Sequence, residues 1–557
     1  MRYLPHFLVL AIGWLSFAPV LVGQDESAAA LDASTKNIND AALRGHIRFL
    51  SDDLLEGRGP GSRGDALTQA YLSTQFQGLG LQPAGPSGSW LQPFPLVGVQ
   101  TECPPTIDFR GDKTVTLKYY DEYIATSGRP QQQVSVKNAP LIFVGYGIQA
   151  PEYDWDDFKD VDVRGKILVM MNNDPADDPE LFEGKRRLYY GRWDYKYAMA
   201  AKMGAAGALI IHTEASAGYP FQVVQTSWSG EEFELQDEGQ PRVDVRGWVT
   251  EQAARKLIDS VGMDLDELRA QAEKRSFRPV PLPTELSMDL TCDVRKQETA
   301  NVLARLEGSD PELRSEHVIF MAHHDHIGIA ARRSEDGDNI YNGAIDNASG
   351  TAGLLMVARA FASLPKAPKR SILFAAVGAE EQGLLGSKYF AANPTIPAGK
   401  MAAVINIDGA NWIGRTHDVN MIGMGKSTLD QVLIDVAKGQ GRVVTPDHFP
   451  DRGYYYRSDQ FSLAKIGVPG VYLHTGTNVV GKPAGWGQEQ LDSWVKKDYH
   501  QPSDEYSEAW DLAGAVEDIQ LLYKVGLQVA EADTMPSWNA GDEFEAARKA
   551  AITKSAQ

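Results

Sequence analysis

Five polar clusters in the second half of the chain concentrate side chains that bind metals or move protons. AHHDHIG carries His323, His324, Asp325 and His326, and NGAIDNASG carries Asp346. GAEEQG carries Glu380 and Glu381, NIDGA carries Asp408, and YHQPSDEY carries His500 far downstream. Three of these clusters follow apolar runs that read as buried strands (HVIFM, SILFAAV, AAVI), and Asp346 opens a helical pattern. A carboxylate at the end of an apolar strand is costly to desolvate unless positive charge meets it. Asp346, Glu381, Asp408 and two histidines at such places therefore call for cations. Two zinc ions would supply the charge. A ligand set of histidine and carboxylate without thiolate suits zinc, with manganese or cobalt as substitutes.

Taken singly, these signals are weak. A His-x-Asp is usually a turn pair, and Glu-Glu is usually a solvated helix start. Asn347-Ala-Ser349 spells a glycosylation sequon, but its place beside Asp346 reads as structural. Arg63-Gly64-Asp65 is a bare tripeptide that reads as chance. The joint signal lies in the order of all five clusters on one alternating scaffold.

That scaffold is legible as strands at 317–321, 371–377, 402–407 and 468–473, and helices at 349–364, 427–438 and 512–531. Strands alternating with helices predict an α/β fold, a mostly parallel or mixed sheet flanked by helices. Ligands in such sheets sit beyond the carboxyl ends of the strands, where the clusters fall. Upstream, 37–50 and 66–79 have helical spacing on either side of a Gly/Arg-rich loop at 56–64. Short strands are expected at 106–109, 115–117 and 140–146. From 134 to 280 the character changes to a small α/β unit, with strands at 165–171 and 208–211 around a helix at 197–206. The expected organisation is a signal peptide at 1–23, a catalytic domain at 24–133 and 281–557, and an inserted domain at 134–280. The tail after Asp533 reads as frayed.

With 43% hydrophobic and 23% charged residues in 557, the chain has a globular composition, long enough for three or four domains. Its net charge of −20 makes nucleic acid a poor partner. Two cysteines exclude a disulfide scaffold or a Cys-rich zinc module. The start MRYLPHFLVLAIGWLSFAPVLVG has one early basic residue and an apolar stretch too short and broken to span a membrane, so it reads as a secretory leader. Export to a periplasm or the medium would let Cys103 and Cys292 pair, tying the two stems of the middle segment. Two unpaired buried thiols are the alternative.

Together these motifs resemble peptidase family M28, the co-catalytic zinc aminopeptidases. The likeness covers most of the mature chain, from SDDLLEGRGPGSRG through the five clusters and YRSDQF. The middle segment, with YDWDDFKDVDVRGKILVM and AAKMGAAGALII, is similar to a protease-associated domain. The resemblance implies peptide substrates and two zinc ions. His323 and Asp408 would hold one ion, Glu381 and His500 the other, and Asp346 would bridge them. Asp325 would orient His323, and Glu380 would be the general base. His324 and His326 fall on variable positions and stay out of the ligand set. Ser458-Asp459-Gln460 stands where relatives have Ser-Asp-His, which leaves Asp459 as a supporting residue. Tyr455 falls near the place of a tyrosine that steadies the transition state, between Tyr454 and Tyr456.

Two other readings compete. Some relatives are carboxypeptidases for acidic C-termini, but they carry a long helical dimerisation region that the 57 residues after His500 do not match. A one-zinc glutaminyl cyclase, or a binding protein on an inactive scaffold, fits poorly with a complete ligand set. Side-chain preference and oligomeric state are not readable.

Overall fold

The strand His317–His323 is buried along its whole length, and so are its two parallel neighbours, Ser371–Val377 and Met401–Asn406. Such strands read as uninterrupted apolar runs because helices cover both faces. Val318, Phe320 and Ala322 point into one core with the helices Asp40–Leu50, Gly350–Ala362 and Ala513–Glu531. Ile319 and Met321 point into the other, with Phe390 and Leu463. Gly470–His474 continues the sheet in parallel, and Asp418–Ile422 then runs antiparallel to it. This computed structural model describes residues 22–236, 239–330 and 337–555, so the leader expected at 1–23 lies almost wholly outside the described residues. No helix among the described residues is long and apolar enough to cross a membrane.

One 27-residue strand, Val280–Leu306, links the two halves of the molecule. Its end, Val302–Leu306, pairs antiparallel with Ser371–Val377. Its middle pairs with Leu91–Glu102 and its beginning with Gln133–Phe143. From there a second parallel set runs through Ile167–Met171, Gly207–His212 and Val245–Thr250. The two long strands are hard to read from sequence because prolines, which seldom occur inside strands, occupy their exposed positions 93, 95, 281 and 283. The helix expected at 197–206 is instead Trp193–Lys202, and it ends where Gly204 turns left-handed.

Two expectations need correction. Cys103 and Cys292 are both free thiols. The Cys103 sulfur donates to the Ala125 carbonyl at 2.9 Å, while Cys292 faces Thr101 on the paired strand. The tail is not frayed either. Trp538 and Phe544 are buried against Tyr455 and Phe461, and the indole donates to the Gly467 carbonyl at 2.9 Å. The final helix Glu545–Ser555 seats Arg548, which donates to the Met401 carbonyl at 2.8 Å. The composition of the tail is polar, but these three anchors are enough to fix it.

Truncating a buried aromatic removes its transfer free energy and leaves a cavity. Trp538→Ala should therefore cost about 3–5 kcal/mol in chemical denaturation; an unchanged midpoint would mean the tail contributes nothing. Burial, reinforced by Arg305, also lowers His317 to about 4. A histidine depressed below its unfolded value near 6.5 stabilises the fold above that pH and loses the contribution as pH falls toward 4. The denaturation free energy should thus drop between pH 6.5 and 4, with a shallower slope in His317→Gln. Equal slopes would remove His317 as a cause.

Candidate metal centre

The strand His317–His323 delivers its last residue to the carboxyl edge of the sheet. There His323 Nε2 lies 3.2 Å from Asp346 Oδ1 and 3.3 Å from Asp408 Oδ1. The other Asp346 oxygen, Oδ2, is 3.3 Å from His500 Nε2, and that nitrogen is 3.0 Å from Glu381 Oε2. Asp346 thus faces two His–carboxylate pairs, one with each oxygen. His323, Asp346 and Asp408 form one group whose ligand atoms all lie within 4.8 Å, as do His323, Glu380 and Glu381. All five residues expected as ligands are brought together, with Glu380 beside them.

The electrostatics of this cluster test whether it suits cations. Against the cost of burial, the carboxylates raise His323 well above its ordinary range, and Glu381 and Asp346 raise His500 to about 10. Asp346 and Glu381 are held low, the latter at about 2, by their histidine partners despite burial. Burial pushes Glu380 the other way, well above the carboxylate range, helped by Glu381, Asp459 and Asp408. Neutrality is reached here only by protonating imidazoles that face carboxylates at ligand distances. Divalent cations supply the same charge and use the imidazole nitrogens as donors, so the residues fit a metal.

Each functional side chain is fixed from behind. Asn347 donates to the carbonyls of Ile407 (3.0 Å) and His323 (3.3 Å), and its Oδ1 accepts from Gly350 and Gly409. It is fully buried, which removes the sequon reading. Thr351 donates to the His323 carbonyl at 2.6 Å. Asp504, inside YHQPSDEY, accepts from the backbone of Ile345 and Asp346, each at 3.1 Å. Asp408 accepts from the Ser458 hydroxyl. Asp325 accepts from the Glu380 backbone at 3.0 Å, while its oxygen stands 3.7 Å from His323 Nδ1. Its firmest contact is therefore with the turn that carries Glu380 and Glu381. Asp459 lies fully buried, raised to about 7 by desolvation.

The early motif SDDLLEGRGPGSRG wraps this edge. Arg58 is 1% exposed and donates to the carbonyls of His324 (2.9 Å), Asn342 (2.6 Å), Gly343 (3.1 Å) and Leu50. Gly57, at φ 65°, has no room for a Cβ, which would stand 2.6 Å from two carbonyl oxygens. Asp65 accepts from Thr299 at 2.6 Å and Gln69 at 2.9 Å, and lies 3.0 Å from His324 Nε2. His324 is thus a structural residue facing away from the ligands.

Two site assignments change. Tyr455 is buried beside Phe544 and Tyr456, and its ring meets Lys426. Its hydroxyl does not reach the cavity that opens over Asp346, Glu380, Glu381 and Asp408; Tyr454 and Tyr472 line that cavity instead, the latter 3.5 Å from Asp408 Oδ2. Among three consecutive tyrosines in a tight turn, sequence register could not choose the inward one. His326, set aside as variable, places Nδ1 2.6 Å from Glu381 Oε1 and groups with Asp346 and Glu381. A third histidine in the same heptapeptide was the available signal. A further contributor had no sequence signal. Ser227, on the helix Phe221–Trp228 of the middle segment, has its hydroxyl 2.8 Å from His500 Nδ1.

The partner of a ligating histidine's second nitrogen sets the ring's orientation and basicity. Ser227→Ala should weaken zinc retention about 10–100-fold in competition with a chelator, and Ser227→Thr should restore it. Equal retention in wild type and Ser227→Ala would show that the hydroxyl does not support the ligand.

Residues 301–523 match the profile of Peptidase family M28. A probable zinc metalloprotease of Pyrenophora teres f. teres (strain 0-1) is 29% identical over 163 residues, 29% of this chain and 29% of its own length. The aminopeptidase YwaD of Bacillus subtilis (strain 168) is 27% identical over 175 residues, 29% of this chain and 32% of its own. The chain therefore spans about a third or less of these relatives. The solved aminopeptidase from Aneurinibacillus sp. strain AM-1 superposes with a TM-score of 0.54 at 19% identity, covering 90% of this chain and 96% of that one, a likeness of fold. All five candidate ligands fall within the span that matches the Peptidase family M28 profile.

Proposed function

We propose that the protein is an exported two-zinc aminopeptidase, with Glu380 as general base. The observation that carries this reading is the Asp346 carboxylate, which turns one oxygen to His323 and the other to His500. His323 and Asp408 would hold one ion, Glu381 and His500 the other, with Asp346 between them. Zinc bound there supplies positive charge that polarises a scissile carbonyl and acidifies a water molecule. Glu380 stands within the same cluster, raised in proton affinity by burial, and its backbone is pinned by Asp325. It takes the proton from the attacking water and returns it to the leaving amine, a role that needs a carboxylate able to hold a proton near neutral pH. The surplus of carboxylates around the ligands gives a substrate's α-ammonium group a place to bind. Tyr472, beside Asp408, and Tyr454 offer hydroxyls on the cavity wall where an oxyanion can develop. The leader sequence supports export, and residues 134–280 support a protease-associated unit.

The zinc-loaded protein should hydrolyse aminoacyl arylamides and dipeptides with a free N-terminus, and a chelator should abolish the activity. Glu380→Gln should keep its zinc and lose about 10²–10⁴-fold in kcat. Full turnover in that variant would remove Glu380 from the mechanism, and cleavage of N-acetylated peptides at equal rates would overturn the aminopeptidase assignment.

A further inference from the structure

The two halves of the site are not held by the same parts of the molecule. His323 and Asp408 are secured from the catalytic half alone, by Asn347 and Thr351 on the His323 carbonyl and by the Ser458 hydroxyl on Asp408. Among the described residues, no hydrogen bond or ion pair joins either of them to residues 134–280. His500 differs. Ser227 of the middle segment meets its Nδ1 at 2.8 Å, and Gln222 donates to the next residue, Gln501, at 2.9 Å.

Glu381 differs in the same way. It sits with Glu380 in the turn 378–384, between the strand Ser371–Val377 and the helix Leu385–Ala392. Ala379 (φ 56°) and Leu384 (φ 65°) lie in the left-handed region without being glycine. The amides of Gly383 and Leu384 both turn back to the Glu380 carbonyl, at 2.8 and 2.7 Å. A backbone held in that region persists only where its surroundings over-determine it. Asp325 gives part of that support, beneath the Glu380 amide. The middle segment gives the rest. The strand Glu231–Leu235 pairs along one edge with Leu91–Glu102, and on the other edge its Phe233 amide donates to Gln382 Oε1 at 2.9 Å. The Phe233 ring shares a small core with Ala379 and Leu385. Trp193 covers Gly383, where a Cβ would stand 3.4 Å from its Cη2, and Asp194 Oδ2 lies 3.6 Å from Lys388 Nζ on the helix that follows.

We propose that Gln382 is a positioning residue that couples the middle segment to Glu381. The metal position of Glu381 and His500 is then completed by the middle segment, while that of His323 and Asp408 stands without it. This rests on the reading of Asp346 as a bridge between two ions. The outer partners of a ligand set its orientation, and with it the affinity for the metal. Gln382 is the most direct link, because it follows Glu381 in the chain and its side-chain oxygen is fixed by a strand amide. Together with Ser227 behind His500, it places both unshared ligands of one ion under the control of residues 134–280.

Zinc affinity measured by competition with a chromogenic chelator, with no substrate present, tests each position separately. Asp408→Asn disables the position of His323, and Glu381→Gln disables that of His500, so each variant leaves one ion to titrate. Gln382→Met keeps the length of the side chain and loses its acceptor oxygen. Added to Asp408→Asn, it should weaken zinc about 10–100-fold; added to Glu381→Gln, it should leave zinc affinity unchanged. Equal weakening in both backgrounds, weakening in neither, or weakening in Glu381→Gln alone overturns the proposal. A wild type that holds a single ion overturns the two-metal reading by itself. The role of Gln382 then stands where Gln382→Met weakens that ion and Asp408→Asn does not, and falls otherwise. Should Gln382→Met fail to fold, Gln382→Asn, whose side chain stops short of the Phe233 amide, carries the same comparison.

Discussion

The carboxylate of Asp346 lies between two imidazoles, and much of the structure exists to keep it there. Asp346, Glu380, Glu381 and Asp408 are brought to one edge of a buried sheet, where their mutual repulsion is weakly screened. Such an assembly holds only if the backbone beneath it cannot relax. The burial of the strands His317–His323, Ser371–Val377 and Met401–Asn406 on both faces gives that rigidity. The parallel pairing aligns their carboxyl ends, so His323 and the turns carrying Glu380 and Asp408 emerge side by side.

Apart from Ser458 on Asp408 and Ser227 on His500, the supports share a pattern in which side chains hold the backbone of the site rather than its side chains. Asn347 and Thr351 hold the His323 carbonyl, Asp504 holds the amides leading into Asp346, and Asp325 holds the amide of Glu380. Arg58 does the same from the N-terminal segment, tying four carbonyls together. Its burial lowers its proton affinity to about 10, while Asp325, Asp504 and Asp346 oppose that loss. The cation beneath the site is thus spent on geometry. Its hydrogen bonds all go to backbone carbonyls, so the oxygens of the candidate ligands stay open to a metal.

What the sequence revealed follows from how locally each feature is encoded. Apolar runs ending in His or acid are local, so the central strands and the five candidate ligand positions that the structure brings together were legible. Asp504 and His326 lie inside motifs that were legible, but their roles depend on which way a loop turns. Tyr455 shows the same limit: one residue of rotation in a short turn separates a cavity wall from a core aromatic. The free cysteines and the ordered tail depend on packing between distant segments. Trp538 finds its place only once the Gly467 turn exists. Ser227 lies in a segment whose own sequence carries no catalytic motif, and only the docking of that segment brings it to the site.

That docking is firm, which bears on what the middle segment does. The strand Val280–Leu306 runs unbroken from the catalytic sheet into it, so no flexible stem separates the two. Leu188 and Tyr189 share one core with Tyr456 and Phe461, and the Tyr189 and Phe461 rings lie 5.2 Å apart. On the far side of the cleft, Gln222 donates to Gln501, the residue after His500, at 2.9 Å. A lid that swung open would have to expose this aromatic core and strip Ser227 from His500. Surfaces that open readily carry few buried apolar contacts, and this one carries many. The segment is therefore a fixed wall of the site.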